Sequence, residues 1–285
     1  MVSILVPVYN SEKYLSFCLS SLASQDYGPL EILVLDDGSS DHSLSISEEF
    51  SRRDGRIRVI KEKHGGIGRA RNILLGEARG EYVLFVDSDD ALSSPDFVSC
   101  LMADMDEYGA DVVASRTLSF RSRPREGKKV RRKIYSGKDF AYLMTRPLGV
   151  FCYSHSRLIK KTLFDGESFP ENMIFEDVVT MPWVIKKAEK VVLDSSTVYC
   201  YRINREGLSH SPFSRKSLDE MEAYWMNEER GIMENDRRIL KASAVFFLTK
   251  YYYYYLKVLL RRMGIKKYSA QFREKACQSW RNLFL

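Results

Sequence analysis

An apolar run, Val83-Leu84-Phe85-Val86, breaks off into Asp87-Ser88-Asp89-Asp90, which puts three carboxylates in four residues. A short run of this kind, entered from Arg79-Gly80-Glu81, reads as a strand buried on both faces and so belongs inside a covered sheet. Acids clustered at its carboxyl end would repel one another by several kcal/mol in a partly dry cleft. A cation is therefore expected there, and an oxygen-lined divalent metal is the simplest one. Capping the next helix needs a single residue, Asp90 or Ser93, not three.

The rest of the first half alternates strand and helix. Val2–Val8, Glu31–Leu35 and Arg56–Ile60 read as strands, and helices follow Ser11, the Asp36–Asp41 turn and the Gly65-Gly66-Ile67-Gly68 stretch. Such alternation predicts an α/β fold, a mostly parallel sheet with helices on both faces. Ligands of such sheets bind outside the carboxyl ends of the strands. Tyr9-Asn10, Asp36-Asp37 and Asp87–Asp90 all stand at such ends, so they are expected to share one crevice. A helix from Pro95 and a strand at Asp111–Ala114 follow, and the pattern is mixed from about Tyr135. A helix is expected near Glu176-Asp177, then strands at Val191–Leu193 and Val198–Tyr201, then helix from Arg215 onward.

At 285 residues the chain can bury a full core. It enters directly on the Val2–Val6 strand, without a basic leader, and its five cysteines are scattered without CxxC spacing. Both features predict a cytoplasmic protein with reduced thiols and no zinc site. The net charge of +6 is unevenly spread: Arg121–Lys133 carries +7, the chain from Arg237 onward +11, and the remainder −12. Two local basic surfaces result. Nucleic acid is not an expected partner, because the predicted cleft is acidic and would repel its backbone.

Five motifs occur in order: Val2–Asn10, Leu35-Asp36-Asp37-Gly38-Ser39-Ser40-Asp41, Gly65-Gly66-x-Gly68-x-Ala70-Arg71-Asn72, Val86–Asp90 and Phe175-Glu176-Asp177. Together they resemble the family 2 glycosyltransferases, inverting GT-A enzymes that use nucleoside-diphosphate sugars. The resemblance covers residues 1–212, with a nucleotide-sugar half over 1–115 and an acceptor half over 134–212. It implies that Asp37 accepts a hydrogen bond from the base, typically the N3–H of uracil. Pro7 and Tyr9 would lie along base and ribose, although Tyr9 also suits a packed core. Asp87 would reach the ribose or the metal's shell, Ser88 would belong to the nucleotide site, Asp89 would bind Mn2+ or Mg2+ directly, and Asp90 would stand behind it without touching the ion. His210 stands where GT-A enzymes often supply a histidine ligand, a structural histidine being the alternative. Asp177 matches the general base, which takes the acceptor hydroxyl's proton opposite the leaving diphosphate. Arg202 and Arg205 are candidate diphosphate clamps, with a solvated surface role equally open.

The chain departs from the family where many relatives carry aromatic-Asn-Lys-Leu-Tyr; it has Phe151–Leu158 instead, including His155. A sugar-phosphate nucleotidyltransferase, or a catalytically inactive relative, is the rival reading. The former would need a lysine-bearing phosphate loop after the first strand, where this chain has Tyr9-Asn10-Ser11-Glu12. The resemblance predicts transfer of a sugar, from a UDP-sugar donor, to a glycan or lipid-linked acceptor in surface polysaccharide synthesis. Residues 213–285 form a basic, tyrosine-rich helical extension. On a helix, Lys250, Lys257 and Arg261 share one stripe, with Val245, Leu248, Tyr252, Tyr255 and Leu259 opposite. Such a helix suits either packing, against its own domain or a second copy, or a peripheral contact with the inner face of the cytoplasmic membrane.

Overall fold

The structure, a computed structural model, describes residues 1–120, 132–146, 152–203, 215–260 and 265–284. Strands β1 (Val2–Val8), β2 (Leu30–Asp36), β3 (Ile57–Lys61) and β4 (Tyr82–Phe85) lie in the order β3-β2-β1-β4, all parallel. Helices α1 (Glu12–Ala23), α2 (Ser43–Arg53) and α3 (Ile67–Glu77) make the crossovers. Their register sets Val8 beside Asp36 and Leu5 beside Phe85, so β1 and β2 finish level and β4 ends three residues short of them, with the residues after Phe85 at the same edge of the sheet. The strands are apolar throughout because both faces are covered. Ile4, Val6, Val34 and Leu84 pack toward α1 and α4 (Phe97–Tyr108). Leu5, Leu33, Leu35 and Phe85 pack toward α3 and the carboxyl-terminal helices.

Beyond β4 the sheet becomes mixed, through β5 (Ala91–Leu92), β6 (Val112–Phe120), β7 (Arg132–Tyr135), β8 (Arg157–Lys160) and β9 (Val191–Arg202). The full order is β3-β2-β1-β4-β8-β6-β9-β5, with β7 also paired to β9. β8 runs antiparallel to both its neighbours, whereas β6 and β9 are parallel. The two strands expected over 191–201 are one, interrupted by a bulge opposite Ser115 and Arg116. Asp194 fastens that bulge by accepting from the Ser196 N–H at 2.8 Å and the Thr197 hydroxyl at 3.2 Å. Helices α5 (Gly137–Thr145) and α6 (Glu176–Lys186) cover this half.

Helices α7 (Arg215–Met233), α8 (Arg237–Leu260) and α9 (Ile265–Asn282) complete the chain. They dock on the sheet rather than trail from it: Met221, Tyr224, Phe247, Leu248 and Phe272 share one apolar core with Val178, Met181 and Leu5. Asn227, fully buried, accepts from Trp183 Nε1 at 2.7 Å and donates to the Val178 carbonyl at 2.6 Å. The stripes expected on α8 are redistributed by this packing. Leu248 is buried and Lys250 pairs with Glu220 of α7 at 2.6 Å, while Val245 and Tyr252 face solvent. The side chains of Tyr255, Lys257 and Leu259, and all of Arg261, lie outside the described residues, as does the basic stretch 121–131.

Candidate active site

The acidic turn is held from three directions. Its backbone closes through the Asp90 N–H to the Asp87 carbonyl at 3.0 Å. Below it, the Tyr199 hydroxyl accepts from the Asp87 N–H at 3.1 Å and donates to Asp90 Oδ2 at 2.7 Å. The Arg202 N–H reaches Asp90 Oδ1 at 2.7 Å, and its Nε reaches the Asp89 carbonyl at 2.8 Å. The Arg202 guanidinium lies 4.9, 5.2 and 4.5 Å from the rings of Tyr14, Phe17 and Phe120. It therefore braces the turn. Ser88 Oγ bonds Ser11 Oγ at 2.7 Å, tying the turn to the end of β1. Asp90 is fully buried, and burial, reinforced by Asp87 and Asp89, holds its pKa well above the ordinary carboxylate range. Asp87, Ser88 and Asp89 are partly open.

At the neighbouring strand ends, Asp37 is buried, and its two oxygens accept from the Gly65 and Gly66 N–H groups at 2.8 and 2.9 Å. His64 Nδ1 stands 3.0 Å from the same carboxylate. Gly38 holds a φ of +74° here, and a Cβ on it would approach the His64 nitrogen to 2.8 Å, so the turn requires glycine. Pro7 is buried in β1 beside Leu35. Tyr9 is 46% exposed and stacks on the His64 ring, centroids 4.1 Å apart, forming an open aromatic platform over Asp37 rather than a core contact.

The segment around α6 meets these groups through a residue to which the sequence alone assigned no role. Arg71, 4% exposed on α3, donates from Nη2 to Asp87 Oδ1 at 3.2 Å and from Nη1 to Glu176. One guanidinium thus joins the acidic turn to the first turn of α6. Glu176 is consumed by this pair and is itself buried. Its neighbour Asp177 is partly exposed, with Oδ1 accepting the Val178 N–H at 2.8 Å. Burial raises the Asp177 pKa, with Arg71 opposing and Asp87 reinforcing the shift. A carboxylate raised in this way is better matched to taking a proton near neutrality. The backbone reaches this geometry through Phe175, whose φ of +71° turns the chain into the helix.

His155 also enters the site from the segment that departs from the family pattern. It pairs with Phe85 by an isolated bridge and stacks on Tyr199 at 4.4 Å. One nitrogen of His155 and one oxygen each from Asp87 and Asp90 lie within 4.8 Å of one another. This grouping, which pairs Asp87 and Asp90 rather than Asp89 with a histidine, shows that the acidic turn has donors suited to a divalent ion. His210 and Arg205 lie outside the described residues. Among the described residues the structure therefore collects Asp37, Tyr9, Asp87, Ser88, Asp89 and Asp177 at one rim of the sheet.

Residues 3–166 match the family model described as glycosyl transferase family 2. The chain is 31% identical over 228 residues to the glycosyltransferase GlyG of Streptococcus pneumoniae, a match covering 75% of this chain and 74% of that one. It is 30% identical over 211 residues to the poly(ribitol-phosphate) beta-N-acetylglucosaminyltransferase TarS of Staphylococcus aureus. That match covers 72% of this chain but only 36% of TarS, so the chain spans about a third of that relative. The crystal structure of TarS 1–349 superposes with a TM-score of 0.72 at 24% identity, covering 98% of this chain and 79% of the other. Its complex with UDP superposes with a TM-score of 0.64 at 25% identity, covering 84% and 69%. The model match spans more than half the chain, from the first strand to the turn after β8, and takes in the Tyr9–His64 stack and the acidic turn; the chain belongs to glycosyltransferase family 2 and is a glycosyltransferase.

Proposed function

We propose that the protein transfers one sugar, with inversion, from a UDP-sugar to a hydroxyl of a glycan or lipid-linked acceptor in surface polysaccharide synthesis. The observation that carries this reading is the link made by Arg71. It fixes the donor-side carboxylate Asp87 and the helix start bearing Asp177 to one cation, so the two sides of an in-line displacement keep a set distance. On the donor side, Tyr9 offers a stacking surface, and Asp37 keeps acceptor capacity for an N–H of the base. A uracil suits that pairing, and the UDP complex of the TarS fragment, which shares the fold, supports it. Pro7 lines the same strand end, and Ser88 stands beside the expected diphosphate.

Asp87 and Asp89 are the residues proposed to meet a divalent ion, Mn2+ or Mg2+; such an ion, when bound, neutralises charge on the departing diphosphate. Asp177 holds the position from which the acceptor's proton is taken. GlyG and TarS are named as glycosyltransferases, and the poly(ribitol-phosphate) substrate in the name of TarS supports a polyol or glycan acceptor here. The decisive experiment measures UDP and GDP release from a panel of nucleotide sugars, with Mn2+, with Mg2+ and with chelator. Metal-dependent release of UDP, lost in Asp89→Ala, is expected. Full turnover in excess chelator, or in Asp89→Ala, would remove the metal from the reading.

A further inference from the structure

His155 is 2% exposed, and neither ring nitrogen has a hydrogen-bond partner. Its two faces are covered by Tyr199 at 4.4 Å and Tyr153 at 4.7 Å, so only the polar edge of the ring is left for a ligand. A phenylalanine would fill the same stack without burying two unsatisfied nitrogens, which is an unfavourable arrangement unless something completes it. That edge meets Asp87 and Asp90, with one donor atom from each of the three residues inside a 4.8 Å span. Ligands of a divalent ion at bond lengths of about 2.0–2.3 Å stand about 3–4.5 Å from one another, so the three need little inward movement.

The charge balance points the same way. Around this pocket stand five carboxylates, Asp87, Asp89, Asp90, Glu176 and Asp177, against three guanidinium groups, Arg71, Arg157 and Arg202. With all five carboxylates ionised, as ligation of a cation would require of Asp90, two negative charges are left over, the charge of one divalent ion. The carboxylates are also oriented as ligands usually are: Tyr199 and the Arg202 N–H hold Asp90, and Arg71 holds one oxygen of Asp87.

We infer that Asp87, Asp90 and His155 form a divalent-cation site on the inner wall of the acidic turn, whose imidazole selects Mn2+ over Mg2+. Nitrogen ligands favour transition ions, whereas Mg2+ prefers an all-oxygen shell. The inference rests on the proposed metal dependence and adds Asp90 and His155 to the Asp87 and Asp89 named above; its test needs no sugar donor.

The full-length protein is titrated with Mn2+ alone and examined by pulsed electron paramagnetic resonance for a directly bound 14N nucleus, with Mn2+ and Mg2+ affinities measured beside it. The expected result is a 14N signal in the wild type that survives His210→Phe and disappears in His155→Phe. Mn2+ affinity should fall about tenfold or more in His155→Phe, with Mg2+ affinity changed less than about twofold. His155→Phe keeps the aromatic stack, and circular dichroism checks its fold. If it does not fold, Asp90→Asn read in the same way takes its place, and the wild-type signal with the His210→Phe control still decides the nitrogen's source. Mn2+ bound without a 14N signal, a signal lost in His210→Phe, or no Mn2+ binding at all overturns the site and leaves only a buried water at His155. Donor turnover with an all-oxygen metal would leave the transferase reading standing while removing this one. A nitrogen-bound Mn2+ without donor turnover would do the reverse.

Discussion

Glu176 and Asp177 are adjacent carboxylates in different surroundings, and the difference follows from which one meets Arg71. Glu176 is buried against the guanidinium, whereas Asp177 is partly exposed. Asp177→Asn preserves shape and hydrogen bonding but removes the proton acceptor. Turnover should fall by roughly 10² or more while UDP affinity, measured by calorimetry, stays within about twofold. A parallel loss of UDP affinity would move Asp177 to the nucleotide site. The pH profile follows from the same shift. If Asp177 is the proposed base, its raised pKa means that the proton-accepting form is lost as pH falls through a value above the ordinary carboxylate range. The acid limb of kcat should therefore lie above that range and be absent from the residual activity of Asp177→Asn. A limb at the ordinary carboxylate pKa would contradict the assignment.

At the scale of elements, two contacts hold the segment that leads into α6 in place. The first turn of α3 presses on the chain at Pro170: a Cβ on Gly68 would come within 2.0 Å of that carbonyl oxygen. Asn72, one turn later, donates to the Phe169 carbonyl at 2.9 Å and accepts the Phe169 N–H at 2.8 Å. Gly68→Ala must push this segment off the helix and should cost about 1–3 kcal/mol, lowering Tm by a few degrees. An unchanged Tm would show that the segment yields freely. The second contact is Glu167, which grips Arg230 of α7 with both oxygens at 2.7 and 2.8 Å and also meets Lys187 at 3.0 Å. Burial alone would raise the Glu167 pKa, but these cations more than offset it and leave it lowered. Its stabilisation is then complete above the unfolded value of about 4.3 and is lost as pH falls through the lower folded value. Glu167→Gln should flatten the stability curve in that acid window, measured by denaturant unfolding. A curve unchanged from wild type would leave the ion pair without that role.

For the whole molecule, the charge separation between an acidic cleft and the +11 segment from Arg237 onward raises the question of what the carboxyl-terminal helices meet. Their inward faces are occupied by the catalytic core. Outward, Val245, Tyr252, Tyr253 and Trp280 are each about two-fifths to half exposed, with Trp280 Nε1 donating to the Tyr252 hydroxyl at 3.2 Å. Among the described residues no helix is long and apolar enough to cross a membrane. An aromatic, basic surface of this kind suits a headgroup layer, and the protein is expected to sediment with anionic vesicles and to be released as salt shortens the Debye length below about 8 Å. Tyr252→Ser with Trp280→Ser should weaken sedimentation and leave donor hydrolysis intact. If vesicles have no effect and the mass instead rises with concentration, the face is a contact between copies. A strictly monomeric protein indifferent to vesicles would leave packing as the helices' only role.

Much of the fold was legible in the order of residues, because strands buried on both faces must be apolar throughout and turns at their ends need glycine and acids. β1 to β4, α3 and the acidic turn follow from that rule, as do Tyr9 and Asp37 at shared strand ends. The family is equally a property of the sequence, since five short motifs at suitable spacing identify it. Tertiary packing decided what those motifs touch. Arg71 reads as one more helix arginine until α3 and α6 bring Asp87 and Glu176 to its two nitrogens. His155 reads as a lone histidine until the bridge to Phe85 sets it against Asp87 and Asp90. The α8 stripe is perfectly regular in sequence, yet α7 and α9 determine which residues are covered, because burial is set by neighbours in space and not by helical period alone.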